Sequence, residues 1–298
     1  MAGDPAPRGA TTGAGIAMAI LAMTMFSSLD VVSKILGQEM SVFQIIWVRF
    51  VLFVPFALAL AWRPGQGIAW RSGMPWLQTL RVVILLVEMW FFLSAFAAIP
   101  LADAHAIGAS APLLVTALSV PLLGEKVGWR RWAAVGVGFA GMLLIVRPGF
   151  AEFSWMMLYA VAGAVLWAVY QIVLKIVGRT DSAATTGVWT AVVGAILTSL
   201  VGPFFWTAPD TQGWVLLLVA ALIGGVAHTV YSRAFNLAPA SVLQPFAYLL
   251  LVYAALFGWL VFGDIPDRWT IAGATLIVAS GLYSFHRERV RAAPRQAP

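Results

Sequence analysis

An internal repeat of apolar sequence constrains this chain more than any other feature. Residues 91 to 143 align without a gap on residues 230 to 282, at a constant offset of 139. The offset pairs these residues: Ala95 with Ala234, Phe96 with Phe235, Pro100 with Pro239, Gly124 with Gly263, and Glu125 with Asp264. A shift of two residues pairs Asp30 with Gln171 and Lys34 with Lys175. A duplicated apolar unit is typical of secondary transporters, in which two halves move around a shared site.

Composition places this repeat in a membrane. The 298 residues are 61% hydrophobic and 10% charged, whereas a soluble domain carries roughly 25% charged residues. A bilayer core of about 30 Å is crossed by roughly 20 helical residues. We therefore predict an all-α integral membrane protein with ten transmembrane helices, arranged as two inverted five-helix repeats. The predicted spans are 14–36, 41–62, 76–97, 101–122, 130–147, 154–177, 184–206, 213–235, 240–262 and 269–286.

The loops predict the domain limits and the topology. We expect a disordered cytoplasmic tail at 1–13, a first repeat at 14–147, an inverted second repeat at 154–286 and a basic cytoplasmic tail at 287–298. With the amino terminus inside, eleven Lys and Arg residues fall in cytoplasmic segments and two in outer loops, as the positive-inside rule requires. Because each repeat has an odd number of spans, the second starts on the opposite side of the membrane. These features predict an inner-membrane protein with both termini in the cytoplasm.

The basic character of the chain does not indicate nucleic-acid binding. The formal net charge is +6 and the pI is near 10.1, but the basic residues lie in short segments between apolar runs. The chain has no cysteine, and its histidines lack the spacing of a zinc site. It also lacks a Gly-x4-Gly-Lys-Ser/Thr motif, which argues against ATP coupling. We expect no cofactor and no metal; the expected partners are membrane lipid, a small-molecule substrate and, as a candidate coupling ion, a proton.

Ionisable side chains within the spans mark the candidate site, because such groups are costly in a bilayer and face a cavity or a partner. Asp30 shares a helical face with Ser27 and Lys34, which leaves two alternatives open: cavity lining or a pair with Lys34. Glu88 lies in the middle of the third span and is expected to line the cavity, the alternative being a structural carboxyl between two helices. Arg49 and Arg81 lie nearer span ends, where an anchoring or snorkelling role is expected.

The repeat narrows the candidates further. It pairs Phe92 with Tyr231, His105 with Gln244, Ala109 with Tyr248, and Met89 with His228. The sixth span adds Trp167 and Gln171, one helical turn apart, and Pro112 and Pro245 predict irregular helix in the fourth and ninth spans. A lone histidine or an aromatic in a helix bundle is more often a packing residue, which stays the alternative for each. The predicted substrate site comprises Asp30, Glu88, Phe92, His105, Trp167, Gln171, His228, Tyr231, Gln244 and Tyr248.

Several short motifs resemble one transporter family. They are Trp47-Val48-Arg49-Phe50, Leu123-Gly124-Glu125-Lys126 with the run from Gly136 to Leu144, and Phe262-Gly263-Asp264 followed by Ala279-Ser280-Gly281-Leu282-Tyr283. Together with the doubled layout, they resemble the EamA family of the drug/metabolite transporter superfamily. The resemblance implies a ten-helix exporter of small metabolites, and the similarity to its best-known bacterial subgroup implies export of aromatic amino acids. Asp264 stands where the family more often has Glu.

The residues and the resemblance together predict a secondary transporter, not an enzyme. We expect export of small amphipathic metabolites by alternating access, including amino acids with large apolar or aromatic side chains. Aromatic residues would receive the side chain, and Gln244, Gln171, His228 and Asp30 would meet the charged ends. The alternative from another class is a membrane-embedded enzyme that acts on lipid or isoprenoid substrates. Such an enzyme usually carries clustered acidic or His residues at a membrane surface, which this sequence lacks.

Overall fold

The computed structural model describes residues 8–63, 67–124, 127–149, 153–238 and 243–292. The described residues are mostly helical, and their α-helices are numbered α1 to α11 in chain order. They are α1 (Arg8–Glu39), α2 (Val42–Ala61), α3 (Pro75–Ala98), α4 (Leu101–Gly108), α5 (Ala111–Leu123), α6 (Trp129–Val146), α7 (Trp155–Val177), α8 (Ala183–Ser199), α9 (Thr211–Leu237), α10 (Leu249–Phe257) and α11 (Arg268–Ala292). A short antiparallel pair, β1 (Trp62–Arg63) with β2 (Gly67–Ile68), follows α2.

Seven of the described helical segments are long and apolar enough to cross a membrane. They are Gly13–Glu39, Val42–Ala61, Pro75–Ala98, Leu101–Leu122, Trp129–Val146, Trp155–Val177 and Pro245–Phe262. The segments Ala184–Ser199 and Thr211–Ala227 are apolar but shorter. Large apolar side chains such as Leu222, Leu260 and Ile271 are exposed on the surface of the bundle, as expected of residues that face lipid. The chain is therefore a multi-pass membrane protein.

The helices pack in a pattern that is unchanged when the two halves exchange places. Helix α1 packs along α9, and α7, which the repeat pairs with α1, packs along α3, which it pairs with α9. Helix α2 packs on its counterpart α8, and α6 packs on its counterpart α11. Helices α6 and α11 approach so closely that a Cβ added at Gly141 would lie 2.7 Å from the Gly273 carbonyl oxygen. Such small-residue contacts are typical of helix pairs in membranes.

The predicted fourth and ninth spans are irregular, as the sequence predicts from Pro112 and Pro245. The fourth span is interrupted at Ala109 and Ser110 between α4 and α5, just before Pro112. In the described part of the predicted ninth span, a 3₁₀ turn over Gln244–Tyr248, which contains Pro245, leads into α10, and a π-helical turn over Gly258–Phe262 follows. The repeat-equivalent glycines Gly124 and Gly263 end these two spans in the left-handed region, with φ of 67° and 71°. A residue with a Cβ would be strained at either position.

The terminal helices extend into segments that the sequence assigns to tails. Helix α1 begins at Arg8, inside the segment predicted as a disordered tail, and α11 continues to Ala292, inside the predicted basic tail. The 2-residue strand pairing after α2 is likewise absent from the sequence prediction. The remaining helix limits lie within a few residues of the predicted spans, except that α8 ends at Ser199 and a separate 3₁₀ turn covers Gly202–Phe205.

Candidate functional site

The polar face of α1 contacts two different helices. Asp30 Oδ2 lies 3.0 Å from Nε2 of His105 on α4, although the two atoms are not aligned for a hydrogen bond. One turn further on, Lys34 Nζ lies 3.1 Å from Asp264 Oδ2 and donates a 3.0 Å hydrogen bond to the Ile99 carbonyl. The alternative pair of Asp30 with Lys34 is therefore corrected: each residue has a partner elsewhere in the chain. Lys34 prefers Asp264 because the loop after the ninth span brings that carboxylate to the end of α1.

His105 is held at the end of α4, next to the break in the fourth span. Its ring stacks on Phe96, with centroids 5.2 Å apart and an interplanar angle of 21°. Among the described residues, no group of three or more His, Asp or Glu side chains is arranged to hold a metal ion. The ring of His105 therefore has an acidic partner on one side and an aromatic face on the other.

Two more ionisable side chains lie within electrostatic range of Asp30. Arg49 of α2 interacts with both Asp30 and Glu88, and Glu88 of α3 interacts with both Asp30 and Arg49. We refer to Asp30, Arg49, Glu88 and His105 as the central charge cluster. Its members come from four helices of the first repeat, and Glu88 is only 7% exposed. Buried charges are costly, so this cluster is the strongest candidate for a functional site.

Arg81, the second arginine within a span, has a different environment. It is fully buried, and its Nε donates to Gln78 Oε1 at 3.1 Å. Its Nη1 donates to the Tyr170 hydroxyl at 3.0 Å, and its Nη2 donates to Thr190 Oγ1 at 2.7 Å and to the Thr186 carbonyl at 3.2 Å. The expected snorkelling role is therefore wrong for Arg81, because hydroxyl and carbonyl groups of α7 and α8 satisfy the guanidinium inside the bundle.

Arg49 makes no such bonds. Within the part of the chain that the structure describes, its guanidinium donates no hydrogen bond, and its charge is balanced only through space by Asp30 and Glu88. A Cβ added at Gly224 of α9 would lie 3.8 Å from Arg49 Nη2. The guanidinium thus lies between α2 and α9 rather than at a membrane surface, which corrects the expected anchoring role. The absent side chain of Gly224 leaves it room.

Two further polar groups of the cluster region are also unsatisfied. Ser27 is fully buried one turn before Asp30, and its Oγ has no hydrogen-bond partner. The Glu88 carboxylate accepts no hydrogen bond from any described residue. Buried polar groups are nearly always paired in proteins, so the unpaired Ser27 hydroxyl calls for an explanation. A bound ligand with its own polar groups is one.

The aromatic residues of α7 lie beside this cluster. Trp167 stacks on Tyr170, with centroids 5.1 Å apart and an interplanar angle of 15°. The Tyr170 hydroxyl is bonded to Arg81, and Tyr170 is also within electrostatic range of Glu88. Gln171 follows on the same helix, is partly exposed and makes no hydrogen bond to the described residues. Tyr170 therefore lies near both Arg81 and Glu88, and Trp167 stacks on its ring.

The other predicted site residues occupy different positions. Phe92 packs against glycines of two helices, because a Cβ added at Gly108 or Gly163 would lie 3.3 Å or 2.7 Å from its ring. Tyr231 meets Phe26 of α1 edge to face, with centroids 5.9 Å apart. Tyr248 packs against α11, where its hydroxyl occupies the space of a Gly281 side chain. The side chains of His228 and Gln244 lie outside the described residues.

Polar contacts also join the helix ends. At the predicted outer end, Arg147 pairs with Asp267 at 2.6 Å, and the Gln44 side chain exchanges hydrogen bonds of 2.7 Å and 2.9 Å with the Thr207 backbone. At the predicted inner end, Asp181 accepts bonds from Ser72, the Gly73 N–H and Gln78. Burial opposes ionisation of Asp181, but these hydrogen bonds outweigh it and lower its pKa. Both ends of the bundle are thus fastened by contacts between the two halves.

A groove of about 350 Å³ lies on another face of the molecule. It runs between α2, α3 and α8, and its lining is apolar apart from the Thr198 hydroxyl. The lining residues are Phe43, Ile46, Leu86, Val87, Trp90, Leu197, Thr198, Val201 and Gly202. No member of the central charge cluster lines it, so we do not assign the substrate to this groove.

Sequence reasoning missed two parts of this arrangement. It assigned Arg49 to anchoring, although the position of Arg49 within a wholly apolar span and the lack of a nearby partner in sequence were visible signals. It did not link Tyr170 to Arg81, because the two residues are 89 positions apart. The charged residues Asp30, Glu88 and His105 were all singled out, and the structure brings them together.

Known proteins match this chain over nearly its whole length. The model of the EamA-like transporter family matches residues 13–147 and again 154–285. The S-adenosylmethionine uptake transporter of Rickettsia bellii is 27% identical, over 92% of this chain and 94% of its own. The riboflavin transporter of Rhizobium johnstonii is 31% identical, over 91% of each chain. A solved crystal structure with 20% identity covers 97% of this chain at a TM-score of 0.63, which shows likeness of fold alone.

Proposed function

This chain belongs to the EamA-like transporter family, and from that premise we propose that it is a secondary transporter that carries an amphipathic metabolite through the central charge cluster. The observation that carries the proposal is the gathering of Asp30, Arg49, Glu88 and His105 from four helices beside the buried, unpaired Ser27 hydroxyl. In a bundle that spans a membrane, such groups line a substrate or ion path more often than they stabilise the fold.

Two inverted five-helix repeats would provide alternating access. The exchange symmetry of the helix packing supports this arrangement, as does the match of one family model to each half. Inverted repeats give two conformations of similar energy, each open to one side of the membrane. In this scheme the contacts at Lys34–Asp264 and at Asp181 open alternately while the central charge cluster stays in place.

The substrate class follows from the chemistry beside the cluster. Trp167 and Tyr170 offer a stacked aromatic surface, and Asp30 offers negative charge within electrostatic range of Glu88. A molecule with a cationic head and a large flat part fits both, as S-adenosylmethionine does and as an aromatic amino acid does. Riboflavin has the flat part without the cation, and it is a second candidate because of the 31% identical relative. Amino-acid export, the sequence prediction, stays a prediction alongside these.

The rival function, an enzyme acting on lipid or isoprenoid, is the less favoured one. The matching relatives are named as transporters, and the cluster lies within the spans rather than at a membrane surface. We place the protein in the inner membrane with both termini in the cytoplasm, on the basis of the positive charge in the predicted cytoplasmic segments.

Counterflow in proteoliposomes tests the proposal. Vesicles containing the purified protein are loaded with unlabelled S-adenosylmethionine, riboflavin or phenylalanine and are then given the same compound in labelled form outside. A transporter accumulates label transiently by exchange, whereas an enzyme or a structural subunit does not. The proposal is supported if the parent protein exchanges one of these compounds and the Glu88→Ala variant does not. The absence of exchange with every compound, in protein that is folded and inserted, contradicts it.

A further inference from the structure

We propose that Arg49 binds the carboxylate of the substrate, so that the central charge cluster selects a zwitterionic head group. This inference rests on the proposed function and names the substrate class of the same site. It starts from the contrast between the two arginines within the spans, because only one of them has its hydrogen bonds filled by the protein.

Arg81 shows what a structural arginine requires in this bundle. Its guanidinium is bonded to Gln78, Tyr170, Thr186 and Thr190, and it is fully buried. A guanidinium has five N–H donors, and leaving them unpaired away from water is costly. Arg49 leaves its donors unused by the described residues although it lies between helices. Its donors are therefore available to a ligand that reaches the cluster.

The neighbours of Arg49 define the charge of that ligand. Asp30 and Glu88 lie within electrostatic range of Arg49, and His105 contacts Asp30. A zwitterion leaves the local net charge unchanged, because its carboxylate meets Arg49 while its cation meets Asp30. A neutral ligand would offer Arg49 no negative charge. A simple anion would bring its charge close to Asp30 with no cation of its own.

The same argument distinguishes carboxylate from phosphate. Both are bound by the planar guanidinium fork with two parallel hydrogen bonds. A phosphate group carries up to two negative charges, of which Arg49 neutralises one, and Asp30 would repel the other. A carboxylate carries one, which Arg49 alone neutralises. The geometry also gives the cation a separate place, since Ser27 Oγ is unpaired one turn from Asp30.

The experiment compares probes that differ only in the carboxylate. One pair is S-adenosylmethionine and its decarboxylated analogue, and the other is phenylalanine and phenethylamine. The apparent affinity of each probe is measured by counterflow and by competition in proteoliposomes. The parent protein should prefer the carboxylate member of the pair that it transports by about 10- to 100-fold, the range expected for hydrogen bonds to a charged group.

Variants at Arg49 then separate recognition from structure. Arg49→Gln should reduce the affinity for the carboxylate member by about 10- to 100-fold and leave the decarboxylated probe within about threefold, so that the preference disappears. Arg49→Lys keeps the charge, loses the planar fork and should retain a reduced preference. Arg81→Lys is the matched control: a structural arginine should affect both members of a pair alike.

The outcomes separate the two proposals. If the parent protein exchanges none of the four probes and no riboflavin, both the proposed function and this role of Arg49 fail. If the parent exchanges a probe but shows no preference for the carboxylate, the role of Arg49 fails alone. The same conclusion follows if Arg49→Gln weakens both members of a pair equally. Should Arg49→Gln not fold, Arg49→Lys decides: an unchanged preference overturns the inference and a reduced one supports it.

Discussion

Neutralising Asp264 should open the predicted outer end of the bundle. Lys34 Nζ and Asp264 Oδ2 are 3.1 Å apart, and the two side chains are 8% and 28% exposed. At an effective dielectric constant of about 20, two unit charges at this distance attract each other by roughly 5 kcal/mol. The cost of removing both charges from water offsets most of that attraction. Because this ion pair is partly buried, we expect it to stabilise the closed end by about 2 kcal/mol, a value between those of exposed and of buried ion pairs.

Losing about 2 kcal/mol of stabilisation at one end shifts the equilibrium between the closed and open states of that end by roughly 30-fold, since 1.4 kcal/mol corresponds to a tenfold change. Among the described residues, the Asp264→Asn variant leaves Lys34 with the Ile99 carbonyl, the Phe262 ring, whose centroid is 4.7 Å away, and a neutral amide in place of the carboxylate. The end of α1 should then separate more often from the end of the ninth span. Water and small reagents would reach the α1 face at Ser27 from that side.

The chain has no cysteine, so a single introduced thiol reports this opening directly. Ser27→Cys replaces a buried hydroxyl that has no partner with a group of similar size. Its rate of reaction with a membrane-impermeant maleimide is measured from each side, in right-side-out and inside-out vesicles. Adding Asp264→Asn should raise the rate on one side by about 10- to 30-fold, a range set by the weakened ion pair.

Two controls accompany this measurement. Asp210→Asn removes a carboxylate at the same predicted end, where Asp210 caps α9 through a 2.7 Å bond from the Gly213 N–H; Asn caps helices equally well, so the rate should not change. Exchanging the charges, with Lys34→Asp and Asp264→Lys together, should return the rate toward the parent value. Equal rates in the parent and in Asp264→Asn would refute the assignment of this ion pair as a closing contact.

Four more predictions address coupling, aromatic contacts, stability and topology. Glu88→Gln should abolish accumulation driven by a pH gradient while counterflow continues, and transport in the parent that ignores a pH gradient would contradict proton coupling. Trp167→Ala should weaken the binding of large aromatic substrates several-fold more than that of small ones in competition assays, because an aromatic contact is lost. Trp76→Ala, at an exposed position, should show no such difference; equal effects of the two variants would place Trp167 outside the site. Asp181→Asn should lower the melting temperature at neutral pH, because folding lowers the pKa of Asp181 and its carboxylate therefore stabilises the folded state. That stabilisation is present above the ordinary aspartate pKa of about 3.9 and is lost as the pH falls through the pKa of the folded protein. A difference in melting temperature that persists in acid would argue for another cause. Reporter fusions after Arg71 and Arg291 should be cytoplasmic and one after Glu152 periplasmic; a periplasmic carboxy terminus would contradict the inverted-repeat arrangement.

The sequence predicts the limits of most helices to within a few residues, because the bilayer imposes their length and polarity. It also predicts the irregular helix near Pro112 and Pro245, where proline removes a backbone donor, although Pro55 lies inside α2 without ending it. The sequence does not predict contacts between residues that are distant along the chain. Lys34 pairs with Asp264 rather than Asp30, and only the fold brings those residues together. A pairing rule based on helical spacing considers neighbours three or four positions away and overlooks a carboxylate 230 positions away.

Arg81 illustrates a second limit. An arginine near a span end is expected to reach the interface, yet four partners on its own helix and on α7 and α8 hold it inside. Threonine and tyrosine hydroxyls carry no charge pattern that would reveal this site in a sequence. For the candidate site, the scarcity of ionisable residues within the spans singled out Asp30, Glu88 and His105. It did not indicate that Asp30 and His105 touch.

The contact between Asp30 and His105 has a consequence for how a ligand is oriented. The repeat pairs these residues with Gln171 and Gln244, so one half of the protein carries charge where the other carries neutral amides. A site with identical halves would hold a cargo equally well head first or tail first. In this protein we expect the substrate to bind in one orientation and to keep it while the two ends of the bundle open alternately. An elongated ligand with its charged group at the opposite end should therefore be transported poorly, even where its size and flatness match.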